Sequence, residues 1–79
     1  MTVGDIVKWK SQSAGVWKEK TGTVVAVVLA GVPPNRALEA FGIKGRIRFP
    51  GNARDHDSYV VRAGGRLYWP RVSLLEAKS

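Results

Sequence analysis

The sequence predicts an all-β domain, a small antiparallel barrel of about five strands with one short helix inserted. Three observations carry this. The opening "DIVKWK" alternates apolar and polar residues at the period of a half-buried strand. The run "TGTVVAVVLAG" is dense in β-branched residues. Near the end, "YVVRAGGRLYWPRVSLLE" sets two β-rich segments around a Gly-Gly pair. Closing the sheet also removes the edges that valine-rich strands otherwise offer for aggregation. At 79 residues the chain is expected to form one domain over residues 1–79, with a helix and loop insertion at about 30–57.

In "DIVKWK", Val7 and Trp9 share one face, while Ile6, Lys8 and Lys10 share the other. The small polar residues and Gly15 of "SQSAG" are expected to break the strand, leaving Val16, Trp17 and Lys18 in a short loop. From Val24 to Leu29 apolar side chains fall on both faces, so this central strand is either buried on both sides or sharply bent. "VPPNRALEAFG" is the one helix candidate, of one or two turns, capped by Asn35 and ended by Gly42. From Ile43 to Asp57 a long, partly mobile loop is expected, in which "RIRF" pairs briefly before Pro50 and Gly51 end it. Gly64 and Gly65 suit a two-residue primed turn, which pairs Ala63 with Arg66, Arg62 with Leu67, Val61 with Tyr68 and Val60 with Trp69. Tyr59, Val61 and Tyr68 then share one face and Val60, Arg62, Leu67 and Trp69 the other, with the choice of core face left open. After Pro70, the apolar Val72, Leu74 and Leu75 suit a 3₁₀ turn or short last strand that folds back to plug the barrel end.

A chain of this size has one core and must fill it well; 44% hydrophobic residues suffice for that. The absence of cysteine excludes a disulfide framework and a thiolate zinc site, and fits a reducing compartment. "MTVGDIVKWK" has no apolar signal region, and no run approaches the ~18 apolar residues that span a bilayer. The expectation is a soluble, cytoplasmic protein with no membrane contact. Thirteen Lys and Arg against six Asp and Glu leave a net charge of +7, so an anionic partner is the first to consider.

With "VGDIVKW" opening the first strand, "TGTVVAV" entering the second at Gly22, and "SYVVR" paired with "RLYWPRVSLLE" at the close, the chain resembles an SH3-like barrel of the Tudor or KOW type. The resemblance leaves out residues 30–57, and the whole pattern is also similar to short uncharacterised bacterial and phage proteins. It implies a binding module, since RNA, DNA and protein tails are recurrent ligands of such barrels. The insertion at Pro33–Gly42 and the loop after it exceed what a minimal barrel needs, and the full set of acids and aromatics of a methyl-lysine cage is absent.

The candidate binding face interleaves cations with aromatic rings. It comprises Lys8, Lys10, Trp17, Lys18 and Lys20 near the front, Arg46, Arg48 and Arg54 in the long loop, and Arg62, Arg66, Tyr68 and Arg71 at the close. Phosphates accept cations without exact placement, and a single strand of RNA or DNA adds base stacking worth about 1–3 kcal/mol per ring. The alternative is a solvated rim of cations around core rings Trp9 and Trp69, with Tyr68 as a cross-strand packing residue. Trp17 is either a partner contact or a lid over the core. A rival reading is a protein-interaction module that docks an acidic or proline-containing segment on Trp17, Tyr59 and Tyr68. "RDHDS" places His56 between two aspartates, but with no second histidine and no cysteine it reads as a polar turn in which Asp57 or Ser58 caps backbone amides, and no metal is expected. The serines lack an elbow context and no P-loop follows a strand, so the chain is expected to be non-enzymatic and to need no cofactor. Its oligomeric state is left open.

Overall fold

The computed structural model describes residues 1–13, 15–47 and 52–77. Its strands are β1 (Ile6–Ser13), β2 (Val16–Val28), β3 (Ser58–Ala63), β4 (Arg66–Tyr68) and β5 (Glu76–Ala77), with one helix, α1 (Pro34–Ala40), and a 3₁₀ turn at Val72–Leu74. The strands form one antiparallel sheet in the order β4-β3-β2-β1-β5, with β2 at its centre as expected. The two edges are β4 and β5, and no ladder joins them among the described residues.

The closing hairpin has the register that the Gly-Gly turn implies: Ala63 pairs Arg66, Arg62 pairs Leu67 and Val61 pairs Tyr68. Gly64 and Gly65 both sit at positive φ, 57° and 78°, the condition for a primed turn. The ladder stops at Tyr68, so the expected Val60–Trp69 pair does not form. Pro70 follows and has no N–H to extend it.

The open question of the core face has a double answer. Val60 and Val61 are both fully buried, and as successive strand residues they point to opposite sides. On one side Val61 packs with Val7, Trp9 and Val24, bordered by Tyr59, Ala63, Tyr68 and Leu75. On the other, Val60 packs with Ala26, Val28, Ala37, Leu38 and Ile47, bordered by Ile43, Leu67 and Trp69. A bulge in β2 makes this division possible. Val24 pairs Val61 but Ala26 pairs Val60, leaving Val25 without a partner. One extra residue shifts the side-chain parity, so Val24 serves one cluster and Ala26 and Val28 the other. Leu29 lies beyond the strand and is exposed.

Helix α1 begins with Pro34 at its first position and Pro33 as N-cap, because proline's fixed φ suits the first turn and its missing N–H is no loss there. Asn35 therefore does not cap the helix. Its Oδ1 instead accepts the Ile47 N–H at 2.9 Å. At the other end the Gly42 and Ile43 amides donate to the Glu39 and Leu38 carbonyls, at 3.1 and 2.9 Å, and Ile43 packs in the cluster that holds Leu38.

The segment after α1 is held at several points. Ile47 is buried, the Gly31 N–H donates to the Arg54 carbonyl at 2.7 Å, and the Ala30 N–H donates to Asp57 Oδ1 at 3.0 Å. Arg46 and Ile47 join no strand, while Arg48 and Phe49, the rest of "RIRF", lie outside the described residues with Pro50 and Gly51. At the end of the chain Leu75 packs beside Trp9, but Leu74 is exposed; one of the expected plug residues is turned outward.

Candidate functional site

The front of the sheet carries a finding the sequence pattern hid. β1 does not break at "SQSAG"; it pairs with β2 through Ser11–Lys18, Gln12–Trp17 and Ser13–Val16. β3 joins β2 only from Thr23 onward, and β5 touches β1 only at Val7 and Lys8. Residues 10–13 and 15–19 thus form a two-stranded arm that pairs with no third strand among the described residues. Beyond Trp9 and Lys20 the described side chains of this arm are exposed or half-buried, so no apolar alternation is there to read. Trp17 is a strand residue, 60% exposed, and covers no core.

Antiparallel partners share a face, which sorts the expected front cations into two groups. Lys18 and Lys20 stand on the face of Trp9, whereas Lys8, Lys10 and Trp17 stand on the opposite one with Glu19. In the second group Lys8 Nζ lies 3.6 Å from Glu76, and Lys10 stands across the ladder from Glu19. These residues line a shallow hollow of about 180 Å3 of mixed charge. The single basic face expected from the sequence does not include them.

A larger feature lies at the closing hairpin, an open cleft of about 900 Å3 around β4. Five cations line it, Lys44, Arg46, Arg54, Arg62 and Arg66, together with Leu67, Tyr68 and Trp69, and no carboxylate among the described residues does so. Arg62 comes from β3 and Arg66 from the start of β4, placed by the Gly-Gly turn. Lys44 and Arg46 are presented between two anchors, Ile43 and Ile47, that pack beside Leu38. The chain between them runs flush against β4, since a Cβ on Gly45 would stand 3.0 Å from Leu67 Cδ1. Lys44 was not among the expected site residues; its signal was the "KGR" flanked by apolar anchors. Arg48 lies outside the described residues, and Arg71 is exposed and close enough to Arg54 to act on its charge.

Arg54 has a part of its own. Its guanidinium stacks 3.8 Å over the Trp69 ring and donates to the carbonyls of Pro70 and Trp69, each at 2.9 Å. Partial burial, and next the charge of Arg71, lower its pKa from the ordinary arginine value. The Trp69 indole N–H in turn donates to Ser58 Oγ at 2.7 Å, and Ser58 is fully buried at the head of β3. Arg54 thus ties the segment before β3 to the chain leaving β4. Arg54→Lys keeps the charge but loses the two-pronged geometry, and is expected to lower stability by about 1–2 kcal/mol in urea unfolding.

The rings of the cleft already have neighbours. Tyr68 leans on Trp9 with centroids 5.6 Å apart, and Lys20 Nζ sits 4.3 Å from the centre of its ring. In the "RDHDS" turn His56 and Asp55 are 3.2 Å apart, and that hydrogen bond, followed by one from the Asp55 backbone, holds the exposed Asp55 carboxyl below the ordinary carboxylate range. Asp57 does accept a backbone amide, though from distant Ala30; Ser58 accepts an indole instead. Among the described residues no group of three metal-ligating side chains converges, and no helix is long and apolar enough to cross a membrane. No family model, curated protein or solved structure matches this chain.

Proposed function

We propose that this chain is a non-enzymatic binding module of the SH3-like, Tudor or KOW kind, acting in the cytoplasm, that contacts RNA or single-stranded DNA through the basic cleft around β4. The observation that supports this most is the cleft's lining of five cations without a carboxylate among the described residues. A concave wall of one sign concentrates potential and draws in an anionic chain. Arg54 is committed to Trp69 and Pro70, which leaves Lys44, Arg46, Arg62 and Arg66 for phosphates. Because Lys20 and Arg54 already stand over the Tyr68 and Trp69 rings, charge supplies most of the affinity and base stacking little.

Fluorescence anisotropy of a labelled oligonucleotide across a salt series tests this reading. Four contacts at about 0.7 each give a slope of log K against log[salt] of about −3. The double variant Arg62→Ala/Arg66→Ala is expected to flatten that slope by about 1.4 and to weaken all sequences alike. A slope near zero discards the reading. The second reading, a module that docks an acidic or proline-containing protein segment, draws on the exposed pair Val16 and Trp17 at the tip of the arm. It is favoured if Trp17→Ala abolishes partner binding while no oligonucleotide binds.

A further inference from the structure

We propose that a single strand of nucleic acid leaves the cleft around the edge strand β4 and continues along the arm on the face of Lys20 and Lys18. This rests on the nucleic-acid reading above and extends its site. The cleft does not lie on one side of the sheet. Arg62 and Leu67 project from one face, and Arg66 and Tyr68 from the other, so the cations pass around the edge. On the second face the arm begins where the cleft ends, since Tyr68 lines the cleft and Lys20 Nζ is 4.3 Å from its ring centre. Lys18 lies two residues farther out, about 6.8 Å along the same face. Among the described residues neither lysine forms an ion pair, whereas Lys8 on the opposite face is paired with Glu76 and Lys10 stands across from Glu19. The arm therefore has one positive side, and that side is continuous with the cleft.

This path selects its occupant. It turns around the edge of a domain only 32 × 27 × 23 Å across, and duplex DNA, with a persistence length of about 50 nm, does not bend so tightly. A single strand does.

The test measures anisotropy at low salt with labelled oligothymidylates of about four and about twelve nucleotides, and with a duplex of the longer length. For the longer single strand, Lys18→Ala/Lys20→Ala is expected to lower affinity about tenfold and flatten the salt slope by about 1.4; the shorter strand and the duplex should change less than about twofold. If circular dichroism shows that the double variant does not fold, Lys18→Glu, at an exposed position, carries the same expectation for the longer strand. Unchanged affinity and slope for the longer strand, with Arg62→Ala/Arg66→Ala still weakening it, overturn the arm path and leave the cleft reading standing. An equal loss for the duplex overturns the choice of occupant. If the native protein binds none of the three, the path and the reading beneath it both fall.

Discussion

Leu38→Ala is expected to lower the unfolding free energy by about 2–5 kcal/mol, read as a fall in the urea midpoint with little change in slope. Leu38 is 1% exposed and is the largest side chain that α1 buries, beside Pro34 and Ala37. Around it stand Ala26, Val28 and Val60 from the sheet, with Ile43 and Ile47 from the segment that follows the helix. Alanine leaves a void that these neighbours cannot all collapse into, because Val28 and Val60 are held in the β2–β3 ladder while the Ile47 N–H donates to Asn35 Oδ1. The loss is a large fraction of the total stability of a domain this small. Ile43 and Ile47 flank Lys44 and Arg46, so the same substitution is also expected to loosen the cleft's basic wall and weaken oligonucleotide binding in variants that remain folded. A variant within about 0.5 kcal/mol of the native protein would falsify this account of the helix.

Gly22→Ala is the second large effect. Gly22 lies on β2 opposite Val7, at a point where β3 leans over it. A Cβ there would stand 2.5 Å from the Arg62 carbonyl oxygen, 2.6 Å from Val61 Cγ1 and 3.1 Å from Ala63 Cβ. The first of these is backbone and the second belongs to a fully buried side chain, so neither can swing aside. The expected outcome is a separation of β2 from β3 near Thr23 and a loss of about 3 kcal/mol, at the upper end of what overpacking costs. Thermal unfolding of the variant, with amide exchange at Arg62 and Ala63, reads both parts. If melting is unchanged and exchange stays slow, the close approach is not there.

How much of this was legible depends on what each residue had to reveal. The closing hairpin was, because Gly64-Gly65 fixes a turn and the turn fixes a register. The faces of β1 were, because Val7 and Trp9 alternate with Ile6, Lys8 and Lys10 and only one set is buried. The both-sided valines of β2 point to burial on two faces or a bend; the register shift at Val25 puts buried Val24 on one side and buried Ala26 and Val28 on the other. The arm is not legible, since its described side chains show no apolar period and the small polar residues with Gly15 read as a break that leaves Trp17 in a loop. Asn35 resembled a cap because its residue type fits one; Pro34 took the first helical position and freed Asn35 for a long-range bond. The candidate cations can be listed from the sequence, but their division between two faces follows from pairing registers that a list of lysines and arginines does not contain. The place of Lys44 in the cleft is not legible from its residue type, because it depends on Ile43 and Ile47 finding a core beneath it.

The burial of both Val60 and Val61 also bears on how the molecule comes apart. With β3 as a party wall between two apolar clusters, neither half has an inner face of its own once that strand leaves. Unfolding should therefore run as one cooperative transition, with the amides of these two valines exchanging only through the globally open state. The arm beyond Trp9 and Lys20 pairs with no third strand among the described residues, so its amides are expected to exchange at a lower free energy than those of the two valines.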